Sequence, residues 1–477
     1  MLPEFLKTPF CRSRAGILAG VLALALPAAL PAQDANAPKA PPSLDEKTSE
    51  AFGNLKPLID AHNWTAAMNL LNSIQATVAP TSYDMAIVLN TKAKIFMQED
   101  QMANAIGPWE TVLKLNSGYG YLEPKEIRDI VHYLAEIYSQ VGSAIKVGSG
   151  PDQAQQEALQ KEDYDKSLSY MKQWLDETPN PSQDDELFYG TLLFNMGVGD
   201  PARINQALVT QAGEAAEKGI RLAIHPKDQL YQLLIASLQQ RGDMVQSADY
   251  LELLVAQKPD SKIYWPQLMA AYLNLAGNYE GDPAKSRQYN IRAISAIERA
   301  QAHGFMKEPR YNLNLVTIYY TVNQFGKAAE LLRTGLKSGA IESTLKNWQV
   351  LAYCYQQLNN NDEAIAVYKQ AEPLFPTSGQ LDYYIAQIYS NLDNIPQAYE
   401  YYKVAVAKGN VSSPFQVDMF LAYAAFELQK FDEALKACDA AAALPEGKND
   451  KTLQRLRSGI EETMKQQAAE KAAAATN

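Results

Sequence analysis

Small and bulky side chains alternate at fixed positions of two successive helical segments between residues 348 and 376. Small residues stand where two helices must cross closely, and bulky residues fill the space between them. The residues of this register are Trp348, Leu351, Ala352, Tyr355, Ala364, Tyr368, Ala371 and Pro376. About 34 residues later the register returns as Ile385, Ala386, Tyr389, Ala398, Tyr402 and Ala405, and about 36 residues earlier as Leu315, Tyr319, Ala328 and Leu332. This recurrence predicts consecutive copies of one helix pair.

The register resembles that of the tetratricopeptide repeat (TPR), a unit of two antiparallel helices. The resemblance implies an all-α fold, a right-handed α-solenoid of TPR helix pairs with a C-terminal capping helix. In such a fold each repeat packs only on its neighbours, so a single solenoid can fill all 477 residues. Stacked pairs form an extended binding surface rather than a closed catalytic pocket.

The pattern divides the chain into five segments. Regular repeats are predicted over residues 226–449, and degenerate TPR-like repeats with inserts over residues 46–225. The principal inserts are Gly142–Lys161, predicted as a loop plus a helix extension, and Gly277–Pro283. Residues 450–477 are predicted to form the capping helix and a frayed tail. Leu453, Leu456, Ile460 and Met464 recur there at helical spacing on an otherwise polar segment.

The N-terminus has the order of a secretory signal peptide. Lys7, Arg12 and Arg14 precede an apolar run over residues 15–30, and small residues follow. We therefore expect a signal peptide over residues 1–33, a Pro/Ala-rich linker over 34–45 and a periplasmic location. A retained signal anchor is the alternative. No later segment reaches the roughly 18 apolar residues of a membrane span, so none is expected after signal removal.

Charge and motifs argue against several functions. The 43 basic and 54 acidic residues are interspersed and give a net charge of −11, which excludes nucleic acid as a partner. The four histidines stand apart without metal-ligand spacing, and no nucleophile or phosphate-binding motif occurs. We expect no enzyme activity, no cofactor and no metal. Cys354 and Cys438 are predicted to be free core thiols, because their repeats are not adjacent.

The first helix of each TPR pair lines the groove, and residues at spacings of four, seven and eight point into it. Eleven residues take these positions in four consecutive units. They are Arg310, Thr317, Tyr320, Gln349, Tyr353, Gln356, Tyr383, Gln387, Asn391, Met419 and Tyr423. Aromatic and amide side chains suit protein recognition. Two interpretations stay open: a protein-binding groove, or half-buried tyrosines without a partner.

Residues 264–466 resemble exported bacterial TPR proteins associated with TonB–ExbB–ExbD energy-transduction systems. The similarity is carried by residues 303–320, 347–371 and 420–435, by the Gly after His303 and by the closing helix. It implies a non-enzymatic periplasmic scaffold with protein partners, an accessory of a TonB-type transport system. The alternative is an envelope enzyme or cell-wall-binding protein with its site in the inserts. Gln349 and Tyr353 replace the Lys and Asn of the TPR clamp that binds chaperone tails, which argues against that ligand.

Overall fold

The computed structural model describes residues 42–200 and 202–475, with side chains as far as Lys471. These residues form 21 α-helices, one short 3₁₀ turn at Glu372–Leu374 and no β-strand. The all-α prediction is therefore confirmed. The predicted signal peptide, its cleavage site and residues 34–41 of the predicted linker lie outside the described residues. Contacts divide the chain into two compact units, with the boundary between Tyr250 and Leu251.

The first unit contains helices α1 to α9 and the beginning of α10. Within it the helices pack in successive pairs, and the second helix of each pair also packs on the first helix of the next. Their bounds are α1 Glu46–Asp60, α2 Trp64–Gln75, α3 Tyr83–Gln98, α4 Met102–Tyr119, α5 Pro124–Ala144, α6 Gln153–Glu177, α7 Gln183–Val198, α8 Gln206–Arg221, α9 Asp228–Arg241 and α10 Met244–Gln257.

The second unit contains the end of α10 and helices α11 to α21, which pack in the same manner. Their bounds are α11 Tyr264–Asn278, α12 Pro283–Ala302, α13 Pro309–Thr321, α14 Phe325–Ser338, α15 Leu345–Gln357, α16 Asn361–Ala371, α17 Gln380–Asn391, α18 Ile395–Lys408, α19 Pro414–Glu427, α20 Phe431–Ala443 and α21 Lys451–Ala475.

One turn recurs between the two helices of most pairs. Its central residue has a positive φ, and the next backbone N–H donates to the carbonyl five residues earlier, as Asn360 does to Tyr355 (2.9 Å). This bond satisfies a carbonyl that the end of a helix leaves unpaired. The left-handed residues are His62, Asp100 and Gly242 in the first unit, and Asn323, Asn359, Asp393 and Gln429 in the second. The turn therefore recurs also where the sequence register is degenerate.

The Gly142–Lys161 insert is a loop followed by a lengthened helix. Residues 145–152 are irregular, and α6 extends over 25 residues. The other insert, Gly277–Pro283, contains the end of α11 and the beginning of α12, with only residues 279–282 between them. The additional residues of this insert lengthen α12, which has 20 residues.

The core of the second unit continues through its last helix. Leu453, Leu456 and Ile460 of α21 are at most 7 % exposed and belong to one cluster with side chains of α17 to α20. The predicted cover of the last pair is thus present. Cys354 and Cys438 are buried and free, as predicted, and burial raises the pKa of each thiol to about 11.

We expect Ala364→Leu to lower the free energy of unfolding by about 1–3 kcal/mol, because this α16 residue is fully buried and extra methylenes would force the helices apart. Ala366 is a matched control, since it lies two residues away on the same helix and is partly exposed. Denaturant unfolding of the two variants measures the difference. Equal unfolding of Ala364→Leu and Ala366→Leu would show that the helices do not cross closely at residue 364.

Candidate protein-binding surface

The predicted groove residues lie on the first helices of four consecutive pairs, α13, α15, α17 and α19, but they differ in exposure. Six are exposed, four are partly buried and one is buried. The exposed residues are Arg310, Thr317, Tyr320, Tyr353, Asn391 and Tyr423; the partly buried residues are Gln349, Gln356, Gln387 and Met419; the buried residue is Tyr383. Most of the set can therefore contact a partner.

Three aromatic rings from α13, α14 and α15 form an aromatic cluster consisting of Tyr320, Phe325 and Tyr353. The Tyr320 ring centroid lies 5.6 Å from that of Tyr353 and 5.7 Å from that of Phe325, and the remaining pair is 6.3 Å apart. Such separations are favourable for aromatic pairs. Tyr320 and Tyr353 are nevertheless 37 % and 39 % exposed. The cluster thus holds two tyrosine rings in fixed positions at the surface.

The aromatic cluster consists of uncharged side chains. Desolvation by burial, and next the neighbouring Tyr353, raise the pKa of the Tyr320 hydroxyl above its ordinary value of 10.0. It therefore stays protonated at neutral pH and can donate or accept a hydrogen bond. The flanking predicted residues Gln349, Gln356 and Thr317 are also uncharged. This part of the surface therefore presents aromatic area and neutral hydrogen-bonding groups to solvent.

Sequence reasoning missed Phe325, because it considered only the first helix of each pair. Phe325 is the first residue of α14, two positions after the left-handed Asn323, and its ring meets Tyr320 across the turn. The same arrangement recurs between Phe426 and Phe431, whose centroids are 6.1 Å apart. An aromatic residue five positions after another, across a predicted turn, was the available signal.

The prediction that Tyr383 lines the groove is wrong. Tyr383 is 4 % exposed and belongs to the core cluster of the second unit. Its ring lies 6.1 Å from that of Tyr402 and 6.4 Å from that of Phe420, so α18 and α19 cover it. Burial raises the pKa of its hydroxyl to about 12. That hydroxyl accepts a hydrogen bond from the Gln387 side-chain amide (2.9 Å), which fixes this partly buried glutamine.

Across residues 42–200 and 202–475, no group of three or more His, Cys, Asp or Glu side chains could hold a metal ion. Among the described helices, none combines the length and apolar character that crossing a membrane requires.

The packing of consecutive helix pairs through one repeated turn defines a helical repeat protein. Two models of the tetratricopeptide repeat match the chain, one over residues 345–376 and one over residues 383–449. The first range contains α15 and α16, and the second contains α17 to α20. Residues 345–376 and 383–449 therefore consist of tetratricopeptide repeats. Repeats of this kind serve protein–protein interaction.

The solved structures that match this chain share little sequence with it. The crystal structure of the MamA protein is 15 % identical, covers 36 % of this chain and 90 % of its own, and has a TM-score of 0.28. A chain of the APC/C hetero-tetramer Cut9–Hcn1 is 14 % identical. The match covers 88 % of this chain and 78 % of that chain, with a TM-score of 0.26. A thermophilic TPR protein in Thermus thermophilus is 20 % identical, with coverages of 43 % and 98 % and a TM-score of 0.23.

All three TM-scores lie below 0.5, so the assignment rests on the helix pairs and the two repeat matches. No curated protein matches the sequence.

Proposed function

We propose that this protein is a non-enzymatic scaffold that binds a segment of a protein partner on the aromatic cluster. The observation that carries the proposal is the exposure of Tyr320 and Tyr353, side by side, on the first helices of adjacent repeats. Tyrosine offers a large, rigid contact area and a polar tip, and it is enriched among the residues that dominate interfaces. The neighbouring amides supply hydrogen bonds that adapt to a main chain or a polar side chain.

Binding there needs little rearrangement of the free protein. Tyr320 and Tyr353 are held by each other and by Phe325, so less rotamer freedom is lost when a partner covers them. The absence of charge on the nearby predicted residues also reduces the desolvation cost of covering the surface. These features favour a protein segment that brings apolar side chains and free backbone groups.

We further propose that the scaffold acts in the periplasm as an accessory of a TonB-type transport system. Two sequence features support this proposal. The N-terminus has the basic, apolar and small-residue order of an export signal. Residues 264–466 resemble exported TPR proteins associated with TonB–ExbB–ExbD systems.

If the protein is exported, the mature chain should begin between Leu30 and Asp34, where the apolar run gives way to small and polar residues. Mass spectrometry of the intact protein from the periplasmic fraction measures this directly. Replacing Leu22 and Leu24 by charged residues should leave the precursor uncleaved in the cytoplasm. A chain that keeps residues 1–30 and fractionates with the membrane would instead identify a signal anchor.

Photo-crosslinking in cells tests the binding surface. A photoreactive amino acid at Thr317, an exposed residue of α13, should capture the partner in the parent protein. Replacing both Tyr320 and Tyr353 by Ala should lower capture about tenfold or more, since each anchor of an interface contributes roughly 1 kcal/mol or more. The free energy of unfolding should change little, because both side chains are exposed.

Two controls make the result specific. Tyr119→Ala removes an exposed tyrosine of the first unit and should leave capture unchanged. A photoreactive residue at Val147, in the loop between α5 and α6, samples the alternative site in the insert. Undiminished capture from residue 317 in the double tyrosine variant would refute the aromatic cluster as the binding site. Capture from residue 147 alone would assign binding to the insert.

A further inference from the structure

A surface cavity of about 630 Å³ in the second unit brings three basic side chains together. Lys262 comes from the segment before α11, Lys307 from the connection between α12 and α13, and Arg310 from the first turn of α13. Glu308 is the one acidic residue among those lining the cavity. The cavity therefore has an excess of positive charge in a protein whose net charge is −11.

These three cations do not take part in ion pairs that hold the fold together. Within the described part of the chain, no carboxylate lies within ion-pair distance of Lys262, Lys307 or Arg310, whereas Arg299 and Lys327 of the same unit are paired with Glu252 and Glu298. The Arg310 guanidinium lies over the Tyr311 ring, 4.6 Å from its centroid, and donates to the Tyr311 hydroxyl (2.9 Å). A guanidinium has five N–H donors, so most remain available to a ligand.

The main chain that lines the cavity is held in place by contacts within the protein. Its wall includes the connection 303–308, where Gly304 and Met306 both have positive φ. The Gln301 side-chain amide donates to the Met306 carbonyl (3.1 Å) and to the Asn312 side chain (3.0 Å), which ties this connection to α13. The Met306 side chain is 4 % exposed and anchors the connection in the core. The positions of Lys307 and Arg310 therefore rest on a fixed main chain.

We propose that this cavity, the basic pocket, binds carboxylate side chains of an acidic peptide segment in the protein partner. Charge complementarity favours this ligand, because lysine and arginine both donate charge-assisted hydrogen bonds to carboxylates. The inference rests on the proposed scaffold function and specifies the chemistry of the partner.

The basic pocket and the aromatic cluster each include a residue of α13. Arg310 and Tyr320 are ten residues apart on α13, which corresponds to about 15 Å along the helix axis. An extended peptide covers that distance with about five residues. The partner segment should therefore carry acidic residues about five positions away from the apolar residues that contact Tyr320 and Tyr353.

Binding of a fluorescein-labelled hexaglutamate peptide to the full chain, followed by anisotropy, tests the basic pocket. The parent protein should bind it more tightly than the hexaglutamine peptide, and added salt should weaken binding. Replacing Lys307 and Arg310 by Gln should raise the dissociation constant about tenfold or more, because hydrogen bonds to charged groups are lost. Replacing Lys337 and Arg455 by Gln removes the same charges from exposed positions outside the cavity and should change binding less than about twofold.

The outcomes separate this inference from the proposed function. Equal hexaglutamate binding by the Lys307/Arg310 variant and the Lys337/Arg455 variant would overturn the basic pocket while leaving the crosslinking result untouched. Hexaglutamate binding that is lost when Tyr320 and Tyr353 become Ala would also overturn it, since the peptide would then lie on the aromatic cluster. Displacement of the peptide by inorganic phosphate, but not by chloride at equal ionic strength, would assign the pocket to phosphate.

Discussion

Truncation of the chain from Thr452 onward is expected to lower the free energy of unfolding by several kcal/mol. The deletion removes Leu453, Leu456 and Ile460, which are 3 %, 7 % and 0 % exposed and pack on α19 and α20. Burial of an aliphatic side chain of this size stabilises by roughly 1.5–3 kcal/mol. The deletion also leaves an apolar face of the last pair in water, which favours aggregation.

The reactivity of the two cysteines toward an alkylating reagent reports where the truncated protein becomes exposed. Cys438 lies in α20 within the same cluster as α21, and Cys354 lies in α15, several helices away. Alkylation followed by peptide mapping should therefore show Cys438 becoming reactive in the truncated protein while Cys354 stays protected. Truncation after Lys465 is the control, because residues 466–471 are exposed or only partly buried. Unchanged stability with Cys438 still protected would show that α21 does not cover the last pair.

The second large effect is expected from Tyr383→Ala, which should lower the free energy of unfolding by about 3–5 kcal/mol, as for other buried aromatic residues replaced by Ala. Tyr353→Ala, at the surface of the preceding repeat, should cost the fold little. The physical reason is the cavity that loss of the Tyr383 ring leaves between α17, α18 and α19.

Urea or thermal unfolding of the two single variants measures the contrast, and Tyr383→Phe is the conservative control. Phenylalanine keeps the ring and loses only the hydroxyl that accepts from Gln387, so its effect should be near 1 kcal/mol. If Tyr383→Ala and Tyr353→Ala unfold alike, the burial of Tyr383 has no energetic consequence and the distinction between core and surface fails.

Much of the fold could be predicted from the sequence because TPR packing is local. Ala364, Ala371, Ala398 and Ala405, which the register places at close crossings, are all fully buried. Each repeat contacts mainly the next one, so the spacing of small and bulky residues within one pair carries most of the information needed. The same locality explains why free, buried Cys354 and Cys438 were predicted correctly.

The surface could be predicted only in part. Helical periodicity assigns a residue to a face of its own helix, but it does not determine how closely the next repeat covers that face. Tyr353 and Tyr383 were predicted to be equivalent, yet the first is 39 % and the second 4 % exposed. Neighbouring rings decide the difference. Tyr402 and Phe420 cover Tyr383, whereas Tyr353 meets the exposed Tyr320 and the partly buried Phe325.

The sequence by itself thus determined the helix pairs, their buried small residues and the apolar stripe of α21, since these depend on contacts within a repeat or with its direct neighbour. The tertiary structure alone decided which tyrosines remain exposed, how Phe325 joins them and how Lys262, Lys307 and Arg310 come to share one cavity. Those features depend on the spacing of successive pairs and on a connection with left-handed residues at Gly304 and Met306. Neither the spacing of successive pairs nor this connection produces a periodic pattern in the sequence.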